Sequence, residues 1–286
     1  MGGGRKVFSD FLILGIITLV AAALLLPFCW TLLTSFKALD EVGEKSWIPT
    51  VWHPENFLVV LGISPLPGAS SKAFEIQFAR WYFNSFFIAA WVTALSVTTS
   101  ALAAYAFSRL SWPGRDKVFF LYLATMMVPG LVTSIPNFAL MFELGFYNTY
   151  SGLIVPGAFS AFGTFLLRQF MLGVPKSLDE AAEIDGASSW RIFWDVTMPL
   201  ARPGLLTLAI FTFMGNWGSF MWPLIMTKDE AVRTLPVGML AFNSQYGQMT
   251  NLMMAGSLLS MLPVVIVFVL LQRQLVAGIQ LGGVKG

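Results

Sequence analysis

The sequence is short of charge. Only 11% of its 286 residues are charged, against about 25% in an ordinary soluble domain, and 56% are hydrophobic. The mean hydropathy is +0.72. Length alone permits one or two soluble domains, but this composition indicates a protein that lies in lipid. The formal net charge of +2, without a dense run of Lys and Arg, argues against nucleic acid as a partner.

Cysteine and histidine each occur once. Cys29 lies in an apolar run and cannot form an internal disulfide, so we interpret it as a small hydrophobic side chain within the membrane. His53 lies between Trp52 and Pro54 and is interpreted as a loop residue. Since no cluster of Cys and His has metal-ligand spacing, the sequence predicts neither a metal site nor a cofactor bound by this chain.

Motifs of common enzymes are also missing. The sequence contains no G-x-x-x-x-G-K-[ST], which cradles nucleotide phosphates, and no G-x-S-x-G or H-E-x-x-H. We therefore predict that the chain is not an enzyme and that a partner supplies any energy it uses.

Charge-free intervals predict the membrane spans. A helix needs about 20 mostly apolar residues to cross a bilayer, and a charge at its centre is costly. Because the first part of the final charge-free interval is polar enough to be loop, we predict an all-α polytopic membrane protein with six transmembrane helices, near 11–35, 81–108, 118–141, 151–172, 203–227 and 252–273. Pro129, Pro136 and Pro263 predict kinks or local unwinding.

The distribution of Lys and Arg predicts the orientation. With both termini cytoplasmic, eleven of these residues lie inside and six outside, which fits the positive-inside rule. The short loop 109–117, RLSWPGRDK, contributes three of the eleven. The longer segment 37–80 is then external, where it forms either an irregular cap or a contact with an external partner.

A polar loop, residues 176–199, interrupts the apolar sequence. Seven charged residues lie between Lys176 and Asp195. Ser177 followed by Glu180 predicts a capping box, and Gly186 is predicted to end the first short helix before a second begins near Ser188. The pattern predicts a helix-turn-helix whose small tip residues allow another protein to approach closely. Trp190 and Phe193 beside it are candidate anchors that an interface buries.

The spacing within the polar loop resembles the loop signature of permease subunits of ATP-binding-cassette (ABC) importers. The signature is Glu-Ala-Ala, three residues, Gly, nine residues, two aliphatic residues one apart, and Pro. It matches Glu180-Ala181-Ala182, Gly186, Val196, Met198 and Pro199. Asp185-Gly186-Ala187, the run MMVPGLVTSIPNFALMFELGFYNTYSGLIVP and the tail QLVAGIQLGGVKG are similar to the carbohydrate branch, and more narrowly to maltose-type six-helix permeases.

This resemblance implies a metI-like fold, with residues 1–79 as a tail, first helix and external loop, and 80–286 as the core permease domain. It implies a coupling helix in the polar loop that sits in a cleft of an ATPase subunit, with the C-terminal tail reaching the same ATPases. Implied partners are a second, related permease, two ABC ATPase copies that bind ATP and Mg, and an external solute-binding protein. The coupling residues it implies are Glu180, Ala181, Ala182, Asp185, Gly186 and Ala187.

A sugar path requires hydroxyl-binding groups and flat aromatic faces. In the fifth predicted helix, Asn216 and Ser219 share a face, and Trp217 and Phe220 accompany them. Tryptophans at the lipid interface and small residues for helix packing are an equally open interpretation. Ser160 and Thr164 in the fourth helix are weaker candidates.

Alternative functions remain open at this point. One is an ABC permease for a different solute. Another is an ion-coupled carrier, although such carriers usually place an ionisable residue at mid-membrane, and the centres of these six predicted spans contain no charged residue. A membrane scaffold would also lack such residues, but it would not need the spacing of the polar loop.

Overall fold

A computed structural model describes residues 3–65, 76–244 and 248–283, and that part of the chain is helical, without a strand. The 3₁₀ turns are Asp40–Gly43, Thr125–Met127 and Val155–Gly157, and a π-helical turn covers Phe193–Thr197. The α-helices are α1 Gly3–Ser35, α2 Glu55–Val60, α3 Phe78–Ser108, α4 Arg115–Ala124, α5 Gly130–Glu143, α6 Tyr150–Ile154, α7 Ala161–Leu172, α8 Lys176–Ile184, α9 Ser189–Ile192, α10 Met198–Leu200, α11 Arg202–Trp217, α12 Met221–Met226, α13 Leu235–Gly238, α14 Ala241–Ser244 and α15 Thr250–Gly283.

Residue contacts divide the chain into two compact units. The first combines Met1–Ala79 with Gly238–Leu262, and the second combines Arg80–Val237 with Pro263–Gly286. The polar loop and the predicted path residues belong to the second unit. The functional division predicted between residues 79 and 80 stays a prediction.

Six membrane spans are present if each bent pair of helices counts as one. Three helices are long and apolar enough to cross alone, over Asp10–Ser35, Phe78–Ser108 and Thr250–Leu270. The bent pairs are Arg115–Met127 with Gly130–Glu143, Tyr150–Gly157 with Ala161–Leu172, and Ser189–Leu200 with Arg202–Trp217. Counted in this way, the number of spans agrees with the prediction, but three of them are broken, and the third bent pair overlaps the predicted fifth span only over 203–217. The orientation of the termini stays a prediction.

Proline explains the sharpest break. The two halves of the third span meet at 98°, and Pro129 is the residue immediately before α5. Val128 before it is extended, as expected for a residue that precedes proline. This confirms the break predicted at Pro129. Pro136 and Pro263, in contrast, lie inside α5 and α15, whose helical structure continues through them without local unwinding.

The break in the fourth span is held by hydroxyl groups. Its halves meet at 43°, and Ser160 caps α7 by accepting a hydrogen bond from the Gly163 amide at 2.9 Å. From α3, Thr99 donates to the Ala158 carbonyl at 2.7 Å and Ser100 donates to the Ser160 carbonyl at 3.4 Å. Since backbone carbonyls freed within a membrane need a partner, these bonds stabilise the bend.

The prediction of one continuous fifth helix over residues 203–227 is wrong. α11 ends at Trp217, and α12 begins only at Met221. The Ser219 amide donates to the Asn216 carbonyl at 3.1 Å, which closes a turn rather than continuing the α-helix. Asn216 and Ser219 therefore do not share the face of one helix.

In the first unit, two asparagines hold the chain as it leaves α1. Asn56 donates to the carbonyls of Ser35 and Lys37, each at 2.9 Å, and Asn251 donates to the Lys37 carbonyl at 3.2 Å. Since the last carbonyls of a helix lack intrahelical donors, these amides fix the start of the predicted external segment. Residues 66–75 of that segment lie outside the described residues.

Candidate functional site

The polar loop folds as a helix-turn-helix. α8 ends at Ile184, and Gly186 follows with φ +79°, a left-handed conformation that favours glycine. Ser188 then caps α9, because its hydroxyl accepts a hydrogen bond from the Arg191 amide at 3.4 Å. These features confirm the predicted break and the predicted second helix. The π-helical turn Phe193–Thr197 and α10 return the chain to α11.

The predicted capping box at Ser177 is wrong. α8 begins at Lys176, and Pro175 stands at the N-cap position without a side-chain cap. Ser177 is therefore already inside the helix. Proline fixes its own φ near the helical value, and this favours a helix start there without a hydroxyl cap. Asp179 does lie in the first turn, where the helix dipole favours an acidic side chain.

The predicted coupling residues form an accessible tip. Ile184 between them is 87% exposed, although it is a large apolar side chain. Such exposure at a loop tip marks a surface suited to contact another molecule. Glu180, Ala181, Asp185 and Gly186 are exposed, and Ala182 and Ala187 are half-buried.

The two candidate anchors differ. Trp190 is 60% exposed and remains available to a partner. Phe193 is only 2% exposed and packs with Tyr105, their ring centroids 5.1 Å apart. The prediction of Phe193 as an interface anchor is therefore wrong, because its side chain already belongs to the core of this chain.

A buried ion pair joins the polar loop to α3. Arg109, the residue after α3, places Nη1 3.0 Å from Oδ2 of Asp179, and their side chains are 4% and 14% exposed. Nη2 of Arg109 also donates to the carbonyls of Met171 and Val174, at the end of α7. Local sequence patterns do not indicate this pairing, because the partners are far apart along the chain.

A cavity of about 480 Å³ lies between the third and fourth spans and the interruption that follows α11. Gly130, Pro156 and Ser219 line it, one from beside each interruption of helical structure. Irregular backbone at membrane depth is tolerated where it is covered by protein or lines a cavity. The other lining residues are Leu131, Ser134, Asn137, Leu153, Gly157, Asn216, Phe220, Met221, Trp222 and Ile225.

Three of the four predicted path residues line this cavity. They are Asn216, Ser219 and Phe220, which the interruption after α11 brings to one wall. Trp217 is 5% exposed and packs edge-on against Tyr82, with ring centroids 5.1 Å apart, so its role is in the core. Of the aromatic residues on this segment, Trp222 lines the cavity, and its indole donates to the Gly152 carbonyl at 3.1 Å.

Two lining residues were missed in the third span. Ser134 and Asn137 lie three residues apart on α5 and both face the cavity. Polar side chains at this spacing in an apolar helix beside Pro136 are a signal that the sequence offered. The weaker candidates, Ser160 and Thr164, serve the helix break instead, since Thr164 is buried and donates to the Ser160 carbonyl at 3.0 Å. Among the described residues, no three or more His, Cys, Asp or Glu side chains group as metal ligands.

Sequence comparisons identify relatives over most of the chain. The model of the family described as "Binding-protein-dependent transport system inner membrane component" matches residues 96–280. The probable ABC transporter permease protein YurM of Bacillus subtilis is 33% identical over 92% of this chain and 85% of its own length. The arabinooligosaccharides transport system permease protein AraQ of Halalkalibacterium halodurans is 31% identical over 93% of both chains.

A further relative is named for a phosphorylated solute. The sn-glycerol-3-phosphate transport system permease protein UgpE of Yersinia enterocolitica is 37% identical over 81% of this chain and 80% of its own length.

Structural comparison shows the same fold. A chain of a bacterial ABC transporter involved in the import of the acidic polysaccharide alginate has a TM-score of 0.80 and 24% identity, covering 96% of this chain and 98% of its own. This similarity confirms the predicted metI-like fold class, and the family match confirms the resemblance seen in the polar loop.

Proposed function

Since the chain belongs to the family of inner membrane components of binding-protein-dependent transport systems, we propose that it forms half of the translocation path of an ABC importer for a sugar or oligosaccharide. Its family is one of transport permeases rather than of enzymes. The spans and the family place it in the inner membrane, surrounded by lipid.

The observation that carries the proposal is the accessible tip of the polar loop. Short helices held by buried contacts at their base expose Ala181, Asp185 and Gly186 together with the apolar Ile184. A small-residue tip permits close approach of another backbone, and Ile184 and Trp190 supply apolar area that an interface buries. We infer that an ABC ATPase receives α8 as a coupling helix.

Further partners follow from the same proposal. The importer contains two ATPase copies, which bind the ATP and Mg, whereas this chain binds no cofactor. A second, related permease completes the path, and an external solute-binding protein delivers the substrate. ATP-driven closure of the ATPases draws the coupling helices together and opens the path outward, and hydrolysis resets it inward.

The cavity supports a sugar as the solute. Its lining offers the hydroxyls of Ser134 and Ser219, the amides of Asn137 and Asn216 and the ring of Phe220. Hydroxyls and amides hydrogen-bond to sugar hydroxyls, and an aromatic face packs on a pyranose ring. Every residue of this lining is uncharged. This favours a neutral sugar over a phosphorylated solute of the kind for which UgpE is named.

Affinity purification tests this function. The tagged chain is extracted from its native membrane in mild detergent, and the co-purifying proteins are identified by mass spectrometry. A P-loop ATPase, a second permease and a solute-binding protein are expected. Recovery of the chain alone, under conditions that preserve a known membrane complex from the same cells, would overturn the proposal.

A further inference from the structure

Arg109 joins two helices at the base of the polar loop. Its guanidinium pairs with Asp179 in the first turn of α8 at 3.0 Å, and it donates to the Val174 carbonyl, just after α7, at 2.9 Å. The Arg109 side chain is 4% exposed. A buried guanidinium with several partners fixes the positions of all of them relative to the end of α3.

A second contact ties the other arm of the polar loop to α3. The Tyr105 hydroxyl donates to the Ser189 carbonyl at 2.9 Å, in the first residue of α9. Tyr105 and Arg109 are four residues apart, so they lie on the same side at the end of α3. Both arms of the polar loop are therefore attached to one short stretch of α3.

The pairing of Arg109 with Asp179 uses only part of its hydrogen-bonding capacity. Arg109 Nε and Asp179 Oδ1 are buried and make no hydrogen bond within the described residues. Burying two charges with such incomplete pairing is costly, so this ion pair is a poor source of stability compared with apolar packing. The ion pair has a clearer effect on the position of α8. Removing one partner would leave the other charge buried and unpaired, and α8 would no longer be tied to α3.

We propose that the Arg109–Asp179 ion pair is the link that transmits displacement between α8 and α3. This inference rests on the proposed function, in which an ATPase receives α8. The link continues into the membrane, since α3 also holds the break in the fourth span through the bond from Thr99 to Ala158. Arg109 and Asp179 are positioning residues and contact neither the nucleotide nor the solute.

The experiment measures communication through the purified complex. ATP hydrolysis by the complex reconstituted in nanodiscs is measured with and without its own co-purified binding protein, which is added back as the probe. Asp179→Asn removes the charge while keeping the shape of the side chain. Asp116→Asn is the matched control, because Asp116 is an exposed acid whose side chain is 73% accessible beside Arg115.

We expect Asp179→Asn to retain the ATPase subunits and unstimulated hydrolysis within twofold of the unmodified complex, but to lose at least tenfold in stimulation by the binding protein. Asp116→Asn should keep the stimulation, and the charge-conserving Asp179→Glu should recover part of it. If Asp179→Asn does not accumulate, Arg109→Lys replaces it as the test: it keeps the charge but loses the guanidinium geometry that pairs with Asp179, and it should lower the stimulation several-fold, whereas unchanged stimulation would overturn the link.

Two results with Asp179→Asn would also overturn the link. Stimulation of Asp179→Asn equal to that of the unmodified complex would show that the ion pair transmits nothing. Loss of the ATPase subunits from Asp179→Asn would assign the pair to structure alone. Absence of an ATPase from the unmodified complex is a different result, because it would refute the proposed function itself.

Discussion

The Thr99 hydroxyl lies 2.7 Å from the carbonyl oxygen of Ala158, at the point where the fourth span bends. We predict that Thr99→Val lowers the free energy of unfolding by about 1 kcal/mol, because the freed carbonyl loses its donor while the side-chain volume is nearly kept. Denaturant titration of the purified chain in detergent measures this.

Thr98→Val is the matched control for that substitution. Within the described residues the Thr98 hydroxyl bonds to the Ala94 carbonyl on its own helix, at 2.8 Å, and its side chain is exposed. Equal effects of the two substitutions would contradict a specific role for Thr99 at the bend.

Gly186 supports a prediction about the tip of the polar loop. Its φ of +79° is left-handed, so Gly186→Leu strains the turn, at about 1–2 kcal/mol, and adds bulk at the tip. We expect this variant to reach the membrane but to recover less than a tenth of the ATPase on affinity purification. Gly114→Leu imposes the same strain at φ +81° outside the polar loop and should recover ATPase normally. Equal losses in both would point to general misfolding.

Ser134 supports a prediction about the cavity. Ser134→Leu replaces one of the four serine and asparagine side chains of the lining by a larger apolar one, so we expect uptake of the sugar carried by the binding protein to fall at least tenfold. Thr133→Leu is the matched control, since Thr133 is the neighbouring residue on α5 and is absent from the lining. ATPase recovery should be unchanged in both. Normal uptake by Ser134→Leu would remove this cavity from the path.

Glu41 makes the segment after α1 sensitive to acid. Its carboxylate accepts hydrogen bonds from the Thr50 hydroxyl at 2.7 Å and from the Thr50 amide at 2.6 Å, and the bond from the hydroxyl is the main cause that lowers the Glu41 pKa below its usual value. A lowered folded-state pKa contributes stability above the unfolded value, ~4.3, and that stability disappears as the pH falls through the folded value.

We therefore predict that acid loosens the segment between Asp40 and Thr50. Pepsin should cleave it faster as the pH falls below about 4, beyond the change in pepsin's own activity on an unfolded reference peptide. Glu41→Gln should be cleaved rapidly already at the upper end of pepsin's range, whereas Glu44→Gln should behave as the unmodified chain. A pH profile shared by all three would contradict the role of Glu41.

Local features of the sequence predicted the helices. The structural features that were not predicted depend on contacts between residues far apart along the chain. The six apolar intervals, Gly186 and Pro129 act through composition or through backbone conformation, so the sequence shows them directly. The interruption after Trp217 adjoins Gly218, which within an apolar run is equally typical of helix packing. Nothing in the sequence around Arg109 or Asp179 indicates that they pair, because each looks like an ordinary charged residue beside a predicted span.

The candidate path residues show the same difference between local sequence features and long-range packing. Asn216, Ser219 and Phe220 could be selected because they cluster in the sequence, and all three line the cavity. Trp217, selected for the same reason, packs against Tyr82, since the direction of a side chain depends on helix phase and on neighbours that composition does not reveal. Their roles as substrate contacts stay predictions, as do those of the six coupling residues.

The π-helical turn Phe193–Thr197 affects the number of residues in the polar loop rather than its chemistry. A π-helical turn accommodates one residue more than an α-helical one. Deleting a single residue there would restore α-helical geometry and leave the flanking helical segments nearly in phase, because the π-helical turn absorbs its extra residue without rotating them. The stretch from Gly186 to Pro199 therefore contains one residue more than an α-helical return over the same path would need.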